Sequence, residues 1–414
     1  MYSFSSKIKL TALISMIVGL VAVIYSFIAT PSSVADLHHG GEAAHDPAHL
    51  EHVLHFLQNK PWAALYVAAL FFLLISLGVL AFYAINRAAQ AGWSPILFRV
   101  MEGITGYLPV GALIFFALLV CSGLHLNHLF IWMDPQVVAH DTIIQGKTGY
   151  LNVPMFLVRA AVYLLGWIAY RQITRKLSLQ QDVATDNRPF IKAFKWSAGF
   201  LVFFLVSESM MSWDWIMSVD PHWFSTLFGW YVFGSFITCA IATIILVTIT
   251  LKGQGYLEHV NDSHLHDLAK YLFGFSIFWT YLWFSQYLLY WYSNIPEEVT
   301  YFVTRLQNFE PIVLGMLAIN FLLPLLILVD SDIKRKPWVV GTMAVVILIG
   351  HYMDFFNMIM PATVGDQWSI GAAEIGSLLF FFGLFTYVTF YTLTKAPLVE
   401  KHHPLMGESE HFHY

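Results

Sequence analysis

The segment SESMMSWDWIMSVDPHWFSTLFGW (207–230) joins two long apolar runs and carries four titratable side chains, Glu208, Asp214, Asp220 and His222. Carboxylate and imidazole groups take up and release protons, so the segment suggests proton transfer in or beside a membrane. Asp220 precedes Pro221, a pattern typical of a helix N-cap, and we interpret it as the start of the next helix. Asp214 and His222 are predicted to mark a wet outer edge.

Other ionisable residues also interrupt apolar runs. Counted at 1.5 Å per residue from the predicted outer helix ends, most lie about 7–14 Å deep. Each costs a few kcal/mol in hydrocarbon, so each should face a bundle interior, a partner or water. The predicted proton path contains Glu208, His125, His128, Arg159, His351, Asp354, Asp214 and His222.

Two pairs at i, i+3 spacing are expected to share a helix face, His125 with His128 and His351 with Asp354. Within the predicted path, His125, His128, Arg159 and Glu208 are expected to lie near one another. Arg159 would then hold a carboxylate ionised or polarise a bound carbonyl. The alternative is structural, because an intramembrane histidine often only bonds a neighbouring helix and an Arg–Glu pair can be a simple ion pair.

The elements that must position these residues are membrane helices. The chain has 414 residues, of which 58% are hydrophobic and 11% charged, and the apolar residues form blocks long enough to cross a bilayer. Ten spans are predicted, at 9–30, 62–86, 104–131, 153–174, 196–217, 224–251, 268–291, 311–329, 337–359 and 371–394. The fold class is therefore an all-α integral membrane protein.

The distribution of positive charge sets the orientation. Of the 21 Lys and Arg residues, only Lys60, Lys147 and Arg305 fall in predicted outer loops, and Arg159 lies inside a span. By the positive-inside rule, both termini are expected in the cytoplasm. The first span is predicted to be an uncleaved helix, since its apolar stretch exceeds that of a signal peptide.

Predicted helices two to five resemble helices six to nine. SESMMSWDWIM (207–217) aligns with GHYMDFFNMIM (350–360), and NVPMFLVR (152–159) aligns with FEPIVLGM (309–316). This repeat predicts two four-helix bundles, with helices 1 and 10 outside them. The chain then divides into 1–61, the first helix and a His-rich outer loop; 62–217, the first bundle; 218–360, the second bundle; and 361–414, the tenth helix and a cytoplasmic tail.

Histidines concentrate in two segments outside the spans. The outer loop carries His38, His39, His45, His49, His52 and His55, and the last four recur at helical spacing. A metal site is one interpretation, but no acidic or thiol ligand pattern accompanies the histidines, which favours a solvated amphipathic helix, so no metal is assigned. The tail, with His402, His403, His411 and His413, is expected to be flexible or bound to a partner.

The chain has two cysteines, Cys121 and Cys239, each alone in an apolar helix. It has no CxxCH motif and no cysteine cluster, so neither covalent haem nor an iron–sulfur cluster is expected in this chain. Nothing in its composition predicts nucleic-acid binding.

The runs WDWIMSVDPHWFSTLFGWYVFGSF (213–236) and LHLNHLFIWMDP (124–135), with ten spans and a four-helix repeat, resemble the NrfD-like family of polysulfide-reductase membrane subunits. Within this family, the chain is most similar to the subunits of alternative complex III, a quinol:cytochrome c oxidoreductase. The resemblance covers nearly the whole chain. It implies an integral subunit of a respiratory complex in the bacterial inner membrane.

The resemblance also implies partners and a substrate. The expected partners are an ActC-like NrfD paralogue, an iron–sulfur subunit, multihaem and monohaem cytochrome c subunits, small membrane subunits, a terminal oxidase and phospholipid. Haem and iron–sulfur clusters would reside only in those partners. Menaquinone or ubiquinone is the candidate ligand, with His125, Arg159 and Glu208 as its expected pocket.

The expected function is therefore a proton path and a quinone pocket in the outer half of the membrane, without a redox centre or activity of its own. Two other functions stay open. One is a structural or assembly subunit of the same complex. The other is a secondary transporter, which would need broken helices near the midplane.

Overall fold

The computed structural model describes residues 1–34 and 47–413, with the side chains of 47–49 left aside, and every regular element in these ranges is helical. The α-helices are α1 (Ser6–Ala29), α2 (Pro47–Ala88), α3 (Phe98–Ile104), α4 (Leu108–Gly123), α5 (Pro135–His140), α6 (Thr142–Gln145), α7 (Val153–Gln181), α8 (Arg188–Trp215), α9 (Phe228–Gly253), α10 (Asp262–Ser293), α11 (Pro296–Asn308), α12 (Glu310–Leu317), α13 (Leu323–Ile327), α14 (Pro337–Val364), α15 (Ala372–Leu393) and α16 (Met406–Glu410).

Nine helices in the described ranges are long and apolar enough to cross a membrane. Two of them are composite, because α3 continues through a 3-10 turn into α4, and α12 continues through a π-helical turn (Ala318–Leu322) into α13. The remaining long helix, α10, has 32 residues but is rich in Trp and Tyr, which makes it less apolar. The protein is thus an all-α, multi-pass membrane protein.

Two helices, α2 and α9, form the centre of the molecule. In the most apolar stretch of α2, 94% of the residues are buried, against 22% for α1. The central helix α2 packs on α4, α8, α9, α14 and α15. Large apolar side chains such as Leu165, Val202 and Leu326 are exposed on the outside of the helices. Hydrocarbon, unlike water, solvates such a surface without cost.

The helix contacts close two rings. In the first, α2 packs on α4, α4 on α7, α7 on α8 and α8 on α2. In the second, α9 packs on α10, α10 on the α12–α13 helix, α12 on α14 and α14 on α9. Each ring contains the helices of one copy of the sequence repeat.

Helices α1 and α15 pack closely along their lengths, outside the two rings. A Cβ atom added to Gly19 would lie 2.3 Å from the backbone nitrogen of Phe380, and one on Gly383 would lie 2.5 Å from the carbonyl oxygen of Ala12. Small residues of this kind let membrane helices approach until their backbones touch.

The third predicted span ends eight residues earlier than expected, at Gly123, because the chain turns there. His125 adopts φ +59°, and the backbone nitrogens of His125 and Leu126 donate to the carbonyls of Ser122 and Cys121. This arrangement is a Schellman motif, which ends a helix with one left-handed residue. The prediction that His125 and His128 lie inside the span, on one helix face, is therefore wrong.

Asp134 and Asp220 both precede proline, but only the first caps a helix. The Asp134 carboxylate accepts a hydrogen bond of 2.8 Å from the Gln136 nitrogen at the start of α5. Asp220 instead ends a 3-10 turn, and α9 begins only at Phe228. The interpretation of Asp220 as a helix cap is therefore wrong, because residues 220–227 form turns rather than a helix.

The two histidine-rich segments also take defined positions. His52 and His55 are exposed on the first turns of α2, which continues through Pro61 into the membrane, as the amphipathic interpretation predicts. His38, His39 and His45 lie outside the described residues, as does the side chain of His49. The C-terminal tail, by contrast, is folded against the bundle, so the expectation of a flexible end is wrong.

The tail packs because its polar groups find partners on both halves of the protein. The Gln181 amide donates to the His402 carbonyl at 2.8 Å, and the Lys401 nitrogen donates to Asp182 at 3.0 Å. Farther along, the Ser409 hydroxyl donates to the Trp93 carbonyl at 2.7 Å. The tail therefore closes the inner side of the molecule, taken here as the side where α1 begins.

Candidate functional site

The outer end of the first ring contains a buried ion pair. Arg159 on α7 donates from Nε to Oδ2 of Asp214 on α8 at 2.8 Å, and from Nη2 to Oδ1 at 2.9 Å. The Tyr163 hydroxyl donates to Asp214 at 3.0 Å, and the Arg159 guanidinium lies 3.9 Å from the centre of the Tyr150 ring. Two parallel bonds fix both groups in orientation as well as distance.

Asp214 has no exposed surface, so its predicted position at a wet edge is wrong. It lies near the end of α8, but Tyr163 and Arg159 cover it from α7. The two carboxylates of α8 are six residues apart, which turns Glu208 away from Asp214 around the helix. Arg159 therefore pairs with Asp214 rather than Glu208.

Glu208 is buried seven residues before the end of α8, and no counter-charge pairs with it among the described residues. Its Oε2 accepts one hydrogen bond from Ser209 at 3.3 Å, and its Oε1 has no partner among the described residues. Neighbouring turns of the same helix face pack on α9, since Phe204 contacts Phe236 and Ser212 lies beside Gly229. Glu208 thus lies where the two rings meet, and within the described residues the bond from Ser209 is its only side-chain partner.

The second ring contains the His351–Asp354 pair, which shares one face of α14 as its spacing predicts. Nδ1 of His351 lies 3.6 Å from Oδ2 of Asp354, and both residues are fully buried. Asp354 also accepts hydrogen bonds from Ser235 at 2.6 Å, from Trp279 at 2.8 Å and from the Tyr231 hydroxyl. These donors stabilise a carboxylate that has no arginine or lysine beside it.

A local distortion of the neighbouring helix brings a further polar group to His351. The π-helical turn Ala318–Leu322 directs Asn320 toward α14, and its amide nitrogen lies 3.5 Å from Nδ1 of His351. A Cβ on Gly350 would lie 2.1 Å from the Asn320 amide oxygen, so glycine is required for this approach. π-Helical turns occur often at functional sites.

The remaining predicted site residues lie at the surface. His125 and His128 are exposed in the loop after α4, and the His128 ring lies 5.5 Å from that of His55. His222 is exposed and its Nε2 lies 2.5 Å from Oδ2 of Asp141. Hydrogen bonds from the Ile144 nitrogen and from His222 lower the pKa of Asp141. The expected grouping of His125 and His128 with Arg159 and Glu208 is therefore wrong.

Sequence reasoning missed the largest cluster, at the inner end of the first ring. The inner cluster consists of Arg87, Arg99, Glu102, Arg175, Asp182 and Glu400. Arg99 binds Asp182 at 2.7 Å and lies 3.7 Å from Glu102, which also pairs with Arg175 and accepts from Tyr83 at 2.9 Å. The inner half is thus rich in ionisable groups.

The C-terminal tail supplies the most buried acid of this cluster. Glu400 pairs with Arg87 and accepts from the Ser178 hydroxyl at 2.6 Å. His403, one turn later, packs between the rings of Phe98 and Phe190. Burial, with the charge of Arg87 adding to it, lowers the pKa of His403 to about 3, so this imidazole is neutral at physiological pH. The only available signal was the Glu-x-x-His spacing in the tail.

No protein-family model matches the chain, and no curated protein is significantly similar to it. The chemistry of the clusters is therefore the basis for assigning a function.

Two hydrogen bonds between α7 and α8 lie at levels between the outer pair and the inner cluster. Below Tyr163, Trp167 donates to Ser207 at 2.9 Å, and the Tyr170 and Ser197 hydroxyls lie 2.8 Å apart. Arg159 and Arg175 lie about 24 Å apart along α7 at the helical rise, most of the hydrocarbon thickness. A line of polar groups thus follows one helix interface across the membrane.

A further arginine missed from sequence is Arg305, which was counted as an outer-loop charge. It is buried under α14, donates to the Asn357 and Met358 carbonyls, and covers the Tyr301 ring. Backbone carbonyls satisfy it without a carboxylate.

In the part of the chain that the structure describes, no group of three or more His, Cys, Asp or Glu residues is arranged to hold a metal.

Proposed function

We propose that the chain is a proton-conducting membrane subunit of a quinol-oxidising respiratory complex, the ActF-type subunit of alternative complex III. The observation that supports it most is the presence of buried acids at three depths of the first ring. Asp214 lies at the outer end, Glu208 is between, and Glu102 and Glu400 lie at the inner end. Buried ionisable groups in a membrane usually serve transport or proton relay.

In this proposal, α10 also crosses the membrane, which brings the nine spans to ten, and the two contact rings are two four-helix bundles. Both termini lie in the cytoplasm of a bacterium, and the chain resides in the inner membrane. Helix α10 has the length to cross, because 32 residues rise about 48 Å. Its Trp and Tyr side chains are the residues that membrane interfaces favour.

The proton carriers in this route are carboxyl and hydroxyl groups joined by water. Glu208 has no counter-charge, so it can bind a proton without breaking an ion pair. Asp214 is tied to Arg159 by two hydrogen bonds, which makes it a fixed element of the site rather than a carrier. Glu102 and Glu400 would exchange protons with the cytoplasmic side. His351 and Asp354 would serve the second bundle in the same way.

Quinol oxidation itself is assigned to the partners, with an ActC-like paralogue and an iron–sulfur subunit beside this chain. His125 is exposed, and the Arg159 guanidinium is occupied by Asp214 and the Tyr150 carbonyl. These two residues therefore offer little to a quinone head group. Haem groups and iron–sulfur clusters would be carried by the cytochrome and iron–sulfur partners.

The experiment is proton release by the purified complex in liposomes during quinol oxidation. Glu208→Gln removes the carboxyl and keeps its shape, so we expect the number of protons per electron to fall. Glu297→Gln, at an exposed position on α11, is the matched control and should leave this ratio unchanged. An unchanged ratio in Glu208→Gln would refute the role of Glu208 in the path.

A structural role is the second candidate, supported by the bidentate Arg159–Asp214 pair, which has few free hydrogen-bonding groups. For this role, Glu208→Gln would alter assembly or heat stability but not proton stoichiometry.

The π-helical turn at Ala318–Leu322 favours a third candidate function, a secondary transporter, because transporters interrupt helices near the midplane. Purification of the chain without haem-bearing partners would favour the transporter.

A further inference from the structure

A long apolar groove separates the α1–α15 pair from α9 and α14, with α2 as its floor. Its volume is about 660 Å³. Val345, Ile349 and Phe382 line it and are between 44% and 53% exposed, so it opens sideways toward lipid. The groove is separate from the buried acids of the first ring and uses none of them.

The inner end of the groove is polar. Its lining there includes Lys7, Thr11, Thr250, Thr386 and Thr389. Lys7 is the second residue of α1. Thr389 lies four residues before the end of α15, which is about 6 Å at the helical rise. This end therefore lies at the level of lipid head groups on the positively charged side.

Two of these side chains have unused bonding capacity. Thr389 is 1% exposed, and its hydroxyl has no hydrogen-bond partner among the described residues. Lys7 forms no ion pair within the described ranges. A buried hydroxyl without a partner is unfavourable, so a ligand oxygen at this position would stabilise the site.

The opposite end of the groove is apolar. It reaches Phe71, Leu378 and Tyr352, and Tyr352 lies fifteen residues into α14, about 22 Å from its inner end. The groove thus follows the membrane normal from the inner surface past the middle of the bilayer. Its shape suits an amphiphile with a charged head at the inner surface and an apolar chain directed outward.

We propose that the groove is a binding site for an anionic phospholipid of the inner leaflet. The phosphate would lie at Lys7, an ester carbonyl would accept from the Thr389 hydroxyl, and an acyl chain would follow the groove toward Phe71. Charge complementarity favours this occupant, because a lysine near the membrane surface attracts anionic lipid. A quinone is neutral and would leave Lys7 without a partner.

The test is native mass spectrometry and heat unfolding of the purified protein in nanodiscs. Nanodiscs of phosphatidylcholine alone are compared with nanodiscs containing phosphatidylglycerol. We expect one retained phosphatidylglycerol and a higher unfolding midpoint with that lipid. Lys7→Glu should weaken retention several-fold, whereas Lys9→Glu should not, since Lys9 does not line the groove.

A second variant separates groove binding from surface charge. Leu379→Trp fills the middle of the groove and should abolish lipid retention while the protein still folds and purifies. Equal retention of both lipids, or insensitivity to both Lys7→Glu and Leu379→Trp, would overturn the proposal. Co-purification of a quinone that is lost in Leu379→Trp but kept in Lys7→Glu would likewise overturn it, with the Tyr352 hydroxyl as the alternative donor.

Discussion

Arg159 and Asp214 meet across α7 and α8 through two hydrogen bonds, of 2.8 and 2.9 Å, and the carboxylate has no exposed surface. The pair joins two neighbouring helices of the first ring at one level of the membrane. Because both charges are largely removed from solvent, each depends on the other.

The first prediction concerns this pair. Asp214→Leu should lower the free energy of unfolding by about 3 kcal/mol, because it leaves the Arg159 guanidinium buried without a counter-charge. The double variant Arg159→Met with Asp214→Leu should recover most of that loss. Thermal unfolding in detergent measures both. Equal stability of the single and double variants would show that the two residues do not depend on each other.

Glu208 should respond in the opposite way. Glu208→Gln should leave the unfolding midpoint unchanged or raise it, because the buried carboxyl has no ion pair to lose. Heat unfolding of the same preparation used for the proton measurement checks this. If the unfolding midpoint fell as far as in Asp214→Leu, Glu208 would form an ion pair, and the description of its carboxyl as unpaired would be wrong.

Two substitutions of Asp354 should lower stability by different amounts, because they differ in how many of its hydrogen-bond donors keep an acceptor. In Asp354→Asn, the amide oxygen can still accept from Trp279 while the hydroxyls of Tyr231 and Ser235 turn, so the expected loss is about 1 kcal/mol. Asp354→Leu leaves all three donors unsatisfied and should cost about 3 kcal/mol or more. Unfolding and the Trp279 environment, followed by fluorescence, measure the difference. Equal losses in both variants would contradict the observed network.

Acid should release the C-terminal tail. The folded-state pKa of His403 is lowered to about 3, below its unfolded value near 6.5, so the unfolded tail binds more protons between these two values. The stability that His403 contributes is therefore complete above pH 6.5 and falls as the pH drops toward 3, by at most about 1.4 kcal/mol per pH unit. Limited proteolysis of residues 395–413 across this range measures the release.

His403→Leu is the matched control for the acid effect. It keeps the packing between Phe98 and Phe190 but cannot take up a proton, so protection of the tail should lose this part of its pH dependence. His411 is exposed, so its substitution should leave the pH dependence of tail protection unchanged. The same pH profile in wild type and His403→Leu would assign the effect to another group.

His125 should tolerate glycine. It ends α4 with φ +59°, a conformation that costs an ordinary residue about 1 kcal/mol and glycine almost nothing. His125→Gly should therefore keep or raise stability and leave proton stoichiometry unchanged, whereas His125→Val should destabilise the protein. If His125→Gly lost proton release, His125 would have to be counted as part of the proton path.

The sequence alone predicted the helices well, because hydrocarbon requires about twenty apolar residues for each crossing. It also predicted that His351 and Asp354 share a face, since residues three apart on a helix always do. It was wrong at the end of α4, where the bonds of a Schellman motif turned the chain before the apolar run ended.

The partners of the buried charges depended on the tertiary structure. Two acids on α8 could have met Arg159, and only the rotation of that helix against α7 selected Asp214. The inner cluster joins Arg87 to Glu400, which are 313 positions apart, so no local pattern connects them. Sequence determined which segments form apolar helices of membrane length, because solvation acts on each segment separately. Packing decided which charges meet, because that depends on helices brought together from distant parts of the chain.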